Sequence, residues 1–174
     1  AIDPAIDVDC LSAVSAEKFY KGESMMGYPT ALACLAVLDS LNLDLAKQNI
    51  LVLGQGMLVG RPVTALLQMR GLVVNTVNKS TGNTAELIKN ADVIISGLGL
   101  GKYLTGDMVK EGVVVIDAGT SEENGSIVGD ADSVSLEAKA SYLTPTPGGV
   151  GPVTVAMLFK NVLQVAKNKG NESR

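Results

Sequence analysis

The sequence predicts an α/β protein: a Rossmann-like parallel sheet with helices on both faces and an inserted β-hairpin. Three observations lead there. Short aliphatic runs alternate with helical patterns from residue 50 to residue 117, and that alternation implies right-handed crossovers between parallel strands. The chain is 47% apolar but only 3% aromatic, with no Trp, so its core is built from Val, Leu, Ile and Ala, as in sheets buried on both faces. Finally, the run Ile50–Leu53 leads into Gly54-Gln55-Gly56-Met57-Leu58-Val59-Gly60-Arg61-Pro62. A glycine-punctuated turn between a strand and a helix lets the backbone approach a pyrophosphate at a helix N-terminus. The spacing Gly54-x-Gly56-x-x-x-Gly60 is one residue longer than the usual fingerprint. A tight strand-to-helix turn that binds nothing is its alternative reading.

Taken in order, residues 1–25 lack a sustained period and form an irregular lead-in, with a short helix around Ser15 to Lys21. Leu32, Leu35, Leu38 and Leu41 then recur at helical spacing just after Pro29, a residue suited to a first helical turn. Ile50–Leu53 is the first strand and Pro62–Met69 a helix. Gly71 stops that helix, and the strand Leu72–Val77 follows. Asn78 to Gly82 is a polar turn before a short helix at Thr84–Asn90. Strand Val93–Ser96 runs into Gly97-Leu98-Gly99-Leu100-Gly101. One or two helical turns at Thr105–Lys110 precede strand Val113–Asp117.

Glu122-Glu123-Asn124-Gly125 carries the Asn-Gly signal of a tight hairpin, so a β-hairpin is expected within Gly119–Gly129, on an edge. A helix over Ser135–Ala140 and a short strand at Tyr142–Thr144 come next. Pro145 to Pro152 is too rich in Pro and Gly to be regular. Val153–Lys167 closes the fold as a helix, with a frayed polar tail from Asn168.

Bulk properties narrow the function classes. A chain of 174 residues buries about 70% of its unfolded surface, enough for one full core. The net charge is −4, with a pI near 4.8 and scattered basic residues, which argues against nucleic acid and anionic membranes as partners. Histidine is absent, so Ser-His, Cys-His and His-metal chemistry are excluded on this chain. Cys10 and Cys34 have no metal-ligand spacing and read as free thiols. With no signal peptide and no apolar run near 18 residues, the sequence reads as a soluble cytoplasmic protein.

In an open parallel sheet, ligands bind beyond the carboxyl ends of the strands. Those ends are Gly54–Gly60, Asn78–Gly82, Gly97–Gly101, Asp117–Ser121 and Pro145–Pro152, all rich in Gly, Asn, Ser or Thr. A dinucleotide lying along that rim accounts for all five loops together. The loop after the second strand, where NAD-preferring folds place Asp or Glu, offers Asn78-Lys79-Ser80-Thr81 and no carboxylate. Lys79 with its neighbouring hydroxyls suits a 2′-phosphate, which favours NADP, with NAD as the alternative. No strong general acid or base stands out. Asp117 and Asp130 read as structural, and Asp7 with Asp9 reads as a substrate contact, a metal pair or an exposed loop pair.

Asp7-Val8-Asp9, Gly54 to Pro62, Val115-Ile116-Asp117-x-Gly119, Val128-Gly129-Asp130 and Thr144-Pro145-x-Pro147-Gly148-Gly149-Val150-Gly151-Pro152-x-Thr154 occur in that order. Together they resemble the bifunctional methylenetetrahydrofolate dehydrogenase/methenyltetrahydrofolate cyclohydrolase family, in its C-terminal NAD(P)-binding part. The resemblance implies that Asp9, Pro147, Gly148 and Gly149 meet the folate substrate. It also implies that Gly54, Gln55, Gly56, Leu58, Lys79, Thr120 and Thr154 contact the cofactor. Val59, Gly60, Asn78, Ser80, Gly97 and Gly99, in the same rim loops, complete the expected cofactor site. No metal ligands and no catalytic residues are expected on this chain, because the Tyr and Lys, four apart, that carry the family's chemistry belong to an N-terminal folate domain.

Residues 1–28 then read as a remnant of that folate domain, 29–168 as the cofactor domain and 169–174 as a disordered tail. The family implies a homodimer, with the hairpin a candidate contact. Departures from the family pattern are Cys10 where Gly is usual, Met26-Gly27-Tyr28-Pro29-Thr30-Ala31 for Pro-Cys-Thr-Pro-x-Gly, and Gly54-Gln55-Gly56 for Gly-Arg-Ser. The expected function is hydride transfer from 5,10-methylenetetrahydrofolate to NADP, weak or absent in this chain alone. The alternative is a non-catalytic or split nucleotide-binding module that docks on a separate partner.

Overall fold

The computed structural model describes residues 2–24 and 26–172. Five parallel strands form the main sheet: β1 (Ile50–Leu53), β2 (Val74–Val77), β3 (Val93–Ser96), β4 (Val113–Asp117) and β7 (Ala140–Leu143), in the order β2-β1-β3-β4-β7. Between β4 and β7 the hairpin strands β5 (Ser121–Glu123) and β6 (Ser126–Val128) pair antiparallel as a separate two-stranded sheet. Among the described residues the α-helices are α1 (Ala13–Tyr20), α2 (Pro29–Ser40), α3 (Gly60–Met69), α4 (Thr84–Asn90), α5 (Ser133–Leu136) and α6 (Val150–Glu172).

Every residue of β1, β3 and β4 is buried, so each strand contributes to two cores. Ile50, Val52, Val93, Ile95, Val114 and Ile116 face one side with Leu35, Leu38, Val63 and Leu67. Leu51, Leu53, Ile94, Val113 and Val115 face the other with Ile88, Leu104 and Leu136. Alternating faces are the geometric consequence of strand pleat, and aliphatic residues throughout are what burial on both faces demands.

The chain passes from β1 to β2 on one side and then returns to β3 on the other. This reversal opens a crevice at the carboxyl ends of β1 and β3, the usual ligand position in such sheets. Leu53, Ser96 and Asp117 stand in register across β1, β3 and β4, so the loops that follow them start from one level.

Several boundaries differ from those the sequence predicts. Only Val74–Val77 of the expected Leu72–Val77 strand pairs with β1, and Val73 is exposed. Thr105–Lys110 holds one hydrogen-bonded turn, with Met108 donating to the Thr105 carbonyl, because its neighbour Leu104 bridges to Ala131 instead. The helix expected over Ser135–Ala140 is the shorter α5. Ala140 is taken by pairing with Val113, and the Gly112 amide donates to the Lys139 carbonyl.

Helix α6 starts at Val150 rather than Val153. Gly151 and Pro152 occupy its first turn, where a proline loses no helical hydrogen bond. It continues to Glu172, through most of the expected tail; Ser173 and Arg174 lie outside the described residues. The lead-in is also more ordered than its composition suggests. Ser12 caps α1 by accepting from the Ser15 amide, a 3-10 turn precedes it at Pro4–Ile6, and Phe19, Tyr28 and Cys10 join the core. Buried Asn161 on α6 ties this segment down, donating to the Val8 and Gly27 carbonyls at 2.7 and 2.8 Å.

Candidate functional site: the cofactor crevice

Two loops make the crevice walls. The first, Gly54–Gly60, is a backbone knot. Gly54 has φ +85° and its amide donates to the Val77 carbonyl. A side chain there would meet the Gly97 carbonyl oxygen at 2.6 Å, and one at Gly60 would collide with the Gly54 carbonyl. The Gly56 position faces open space. Gln55 Nε2 donates to the Gly54 carbonyl and to Thr64 Oγ1, and Thr64 Oγ1 donates to the Gly60 carbonyl. The turn is thereby tied to α3, whose first residue is Gly60. Among the described residues, no acceptor takes up the amides of Gln55, Gly56, Met57, Leu58 or Val59. Free amides at a helix N-terminus, beside a glycine that leaves the backbone approachable, fit a pyrophosphate.

The second wall is Gly97–Gly101, after β3. It touches the first directly, since a side chain at Gly97 would press on Val59 at 2.8 Å. Gly99 takes φ +70°. Further along the rim, Asn78 Oδ1 accepts from the Ser80 amide and hydroxyl, and the Asn78 amide donates to Thr81 Oγ1. This compact turn after β2 leaves Lys79 exposed. Thr120 is exposed between β4 and the hairpin.

The residues expected to meet folate lie beyond. Gly149 donates to the Pro145 carbonyl at 2.8 Å, and a side chain on it would stand 2.5 Å from that oxygen. Gly148 takes φ +107°, after the cis Thr146–Pro147 bond. Asp9 lines a cleft of about 220 Å³ with Leu11, Tyr28, Thr30, Leu58 and Thr154. A residue expected to meet folate and two expected to meet the cofactor therefore share one concavity. Thr154 Oγ1 donates to the carbonyl of Val150, the first residue of α6, which fixes its side chain near the start of that helix.

Asp7 and Asp9 have different surroundings. Asp7 accepts from the Leu11 and Ser12 amides at 3.0 and 2.7 Å and so serves the start of α1. Burial pushes its pKa up, but these amides and the hydroxyls of Ser12 and Ser15 outweigh it and hold the carboxyl at about 2. Among the described residues, no group of three His, Cys, Asp or Glu side chains stands ready for a metal.

The carboxylates of Asp117 and Asp130 are both engaged in hydrogen bonds inside the fold. Asp117 accepts from the amides of Gly119, Asp130 and Ala131. Burial raises its pKa, against the opposing pull of those amides. Residues that sequence reasoning missed include Tyr28, which lines the cleft with its hydroxyl pushed to about 12 by burial, and Asn161. Their signals were slight: an aromatic just before a helix-starting proline, and a polar residue within an amphipathic helix.

This parallel sheet, with its glycine-walled crevice at the point of reversal, defines a dinucleotide-binding α/β domain. Residues 28–170 match the tetrahydrofolate dehydrogenase/cyclohydrolase NAD(P)-binding domain, and the chain belongs to that family. It is 38% identical over 168 residues to the bifunctional protein FolD of Lactobacillus delbrueckii subsp. bulgaricus, covering 97% of this chain and 59% of that protein. It is 39% identical over 173 residues to FolD of Nautilia profundicola, covering 99% and 61%.

Among solved structures, a 5,10-methylenetetrahydrofolate dehydrogenase from the silkworm Bombyx mori superposes with a TM-score of 0.90 at 32% identity, over 98% of this chain and 62% of that one. The Trypanosoma brucei methylenetetrahydrofolate dehydrogenase-cyclohydrolase, complexed with NADP and inhibitor, gives 0.87 at 33% identity, over 97% and 60%. The chain spans about three fifths of the length of the curated relatives it matches.

Proposed function

We propose that this chain is the cofactor-binding half of a 5,10-methylenetetrahydrofolate dehydrogenase that passes hydride to NADP in one-carbon folate metabolism. The observation that carries the reading is the shared cleft, in which Asp9 stands with Leu58 and Thr154. The pyrophosphate is held by the amides of residues 55–59 at the start of α3. Asn78, Lys79 and Ser80 meet the ribose end. The absence of a carboxylate in that loop and the presence of Lys79 support NADP, as does the NADP bound to the Trypanosoma brucei relative. Pro147, Gly148 and Gly149 sit between nicotinamide and folate, and Asp9 orients the folate ring system. The cofactor supplies the hydride chemistry; the residues of this chain bind and orient.

No Tyr stands four residues before a Lys anywhere in the sequence, so the group expected to drive the folate chemistry is missing from these 174 residues. We read residues 1–28 as belonging with a folate domain and 29–168 as the cofactor domain. The protein is proposed to be cytoplasmic and homodimeric through the hairpin. The test is a paired one. NADP titrated by fluorescence is expected to bind, while an assay with methylenetetrahydrofolate and NADP is expected to give little or no turnover. Robust turnover by the chain alone overturns the half-site reading, and failure to bind either NADP or NAD overturns the cofactor reading.

A second reading, a module that docks on a separate partner, is favoured by one feature. Leu11, Val14, Val155, Phe159 and Leu163, from the lead-in and α6, are large apolar side chains left exposed. Activity restored by adding a separately expressed folate domain would favour it.

A further inference from the structure

The second crevice wall is not self-supporting. Gly97–Gly101 contains three glycines in five residues and has no regular structure of its own, yet it forms one side of the cofactor crevice. The Gly97 amide is anchored on the Leu53 carbonyl, and beyond that anchor the loop amides are held by a single side chain from the far side of the hairpin. Asp130 is fully buried. Its Oδ2 accepts from the Leu98 amide and from Ser96 Oγ, both at 2.7 Å, and its Oδ1 accepts from the Leu100 amide at 2.8 Å. Both loop amides are thus bound by one carboxylate at alternate residues, which fixes the backbone between them.

The hairpin end that carries Asp130 is itself locked. The Lys102 amide donates to the Gly129 carbonyl and the Leu104 amide to the Asp130 carbonyl, at 2.9 and 2.8 Å. Lys102 pairs with Glu123 on β5. Side chains on Gly119 or Gly129 would run into the carboxylates of Asp130 and Asp117 respectively, so the glycines admit the acids.

From this we infer that Asp130 is a positioning residue for the dinucleotide: its carboxylate sets the Gly97–Gly101 wall before the cofactor arrives. The inference rests on the cofactor reading above. Preorganising a glycine-rich segment removes the entropy that binding would otherwise have to overcome, so the carboxylate acts on affinity without touching the ligand. Asparagine cannot replace it, because an amide offers one acceptor oxygen where Leu98 and Leu100 need two.

The test compares Asp130→Asn with Ser96→Ala, which removes a hydrogen bond to the same carboxylate but leaves both loop amides held. NADP affinity is measured by fluorescence titration well below each variant's melting point. Asp130→Asn is expected to weaken NADP at least ten-fold and Ser96→Ala less than two-fold. Asp130→Asn binding within two-fold of the unmodified protein, or Ser96→Ala losing as much as Asp130→Asn, overturns the inference.

Hydrogen exchange on the unmodified protein decides the matter even if Asp130→Asn fails to fold. Without cofactor, the Leu98 and Leu100 amides are expected to exchange as slowly as those of Ile94 and Ile95 in β3. Exchange at loop rates, slowed only when NADP is added, would mean the wall forms on binding and would sink the idea. Failure of the unmodified protein to bind nucleotide strikes the cofactor reading instead, and leaves the exchange result to speak for Asp130 alone.

Discussion

The two sides of the cleft are finished to different degrees. On the cofactor side, the Gly54–Gly60 and Gly97–Gly101 loops touch backbone to backbone, and buried groups such as Thr64, Asp117 and Asp130 are hydrogen-bonded within the domain. On the side proposed for the substrate, the lead-in and α6 meet through Asn161, but Leu11, Val155, Phe159 and Leu163 remain between 53% and 64% exposed. Exposed large apolar side chains of this kind mark a candidate contact surface. The side proposed for the cofactor is closed by hydrogen bonds among the described residues, whereas the side proposed for the substrate leaves apolar surface open. Nucleotide binding and turnover should therefore separate experimentally, and substitutions on the two sides should fail differently.

The largest effect is expected at Gly60. Alanine there drives a methyl group into the Gly54 carbonyl, and neither partner is a side chain that can rotate away. Loss of about 3 kcal/mol or more of stability is expected by denaturant titration, together with loss of cofactor binding. Gly56→Ala, with nothing within 4 Å of the added methyl, sharpens the contrast. Its stability should stay within about 1 kcal/mol of the parent while NADP affinity falls, because the methyl occupies the approach to the phosphate. Equal stability losses at the two glycines would break the argument that one closes the turn and the other admits the ligand.

On the substrate side, the lead-in depends on one carboxylate. Asp7 is held at about 2 against an ordinary 3.8, so its ionised form favours the folded state. That stabilisation is fully present above about pH 4 and disappears as the pH falls through 2, the sign for a depressed acid. Asp7→Asn should cost up to about 2 kcal/mol at neutral pH, with the two stability curves converging below pH 2. Cofactor affinity at pH 7 should not follow. A parallel fall in NADP affinity would show that the two sides of the cleft are coupled through α6.

Gln55 is the cofactor-side residue whose replacement should improve function. Its amide is spent on the Gly54 carbonyl and Thr64, and it brings no charge to the ribose end proposed above, where Lys79 is the expected cation. Gln55→Arg supplies a guanidinium able to grip a phosphate in two places. NADP affinity is expected to rise about ten-fold, roughly 1.4 kcal/mol, with NAD affinity unchanged. Equal changes for the two nucleotides would show that position 55 does not see the 2′-phosphate.

Much of this was legible in the sequence, and what was not has a common cause. Ile50–Leu53, Val93–Ser96 and Val113–Asp117 end where the structure ends them, because strands buried on both faces must be aliphatic throughout and stop when polarity returns. Asn124-Gly125 announced its turn, and both residues take positive φ. The start of α6 was misplaced because Pro152 reads as a breaker until it is seen within a first turn. The roles of Asp130 and Asn161 were invisible, since their partners lie 30 or more residues away in the chain, and spacing encodes only local partners. Sequence therefore showed which loops form the crevice but not what keeps them in place.

The smallest expected effect lies at the two cysteines, one in the lead-in and one in α2. Both are buried, yet their backbones differ: Cys10 sits at φ +56°, while Cys34 lies within α2. A residue with a β-carbon in the left-handed region carries roughly 1 kcal/mol of strain, which glycine relieves. In a helix interior, glycine is instead about 1 kcal/mol worse than alanine. The order of variants should therefore invert between the two sites. Cys10→Gly should be more stable than Cys10→Ala by up to about 1 kcal/mol, whereas Cys34→Ala should exceed Cys34→Gly by a similar margin. Each comparison removes the same thiol, so differences in buried sulfur cancel and only the backbone preference remains. Thermal melts of the four variants at one pH read it out. If alanine wins at both positions, burial rather than backbone strain governs position 10, and the lead-in is more tightly built than its exposed apolar residues suggest.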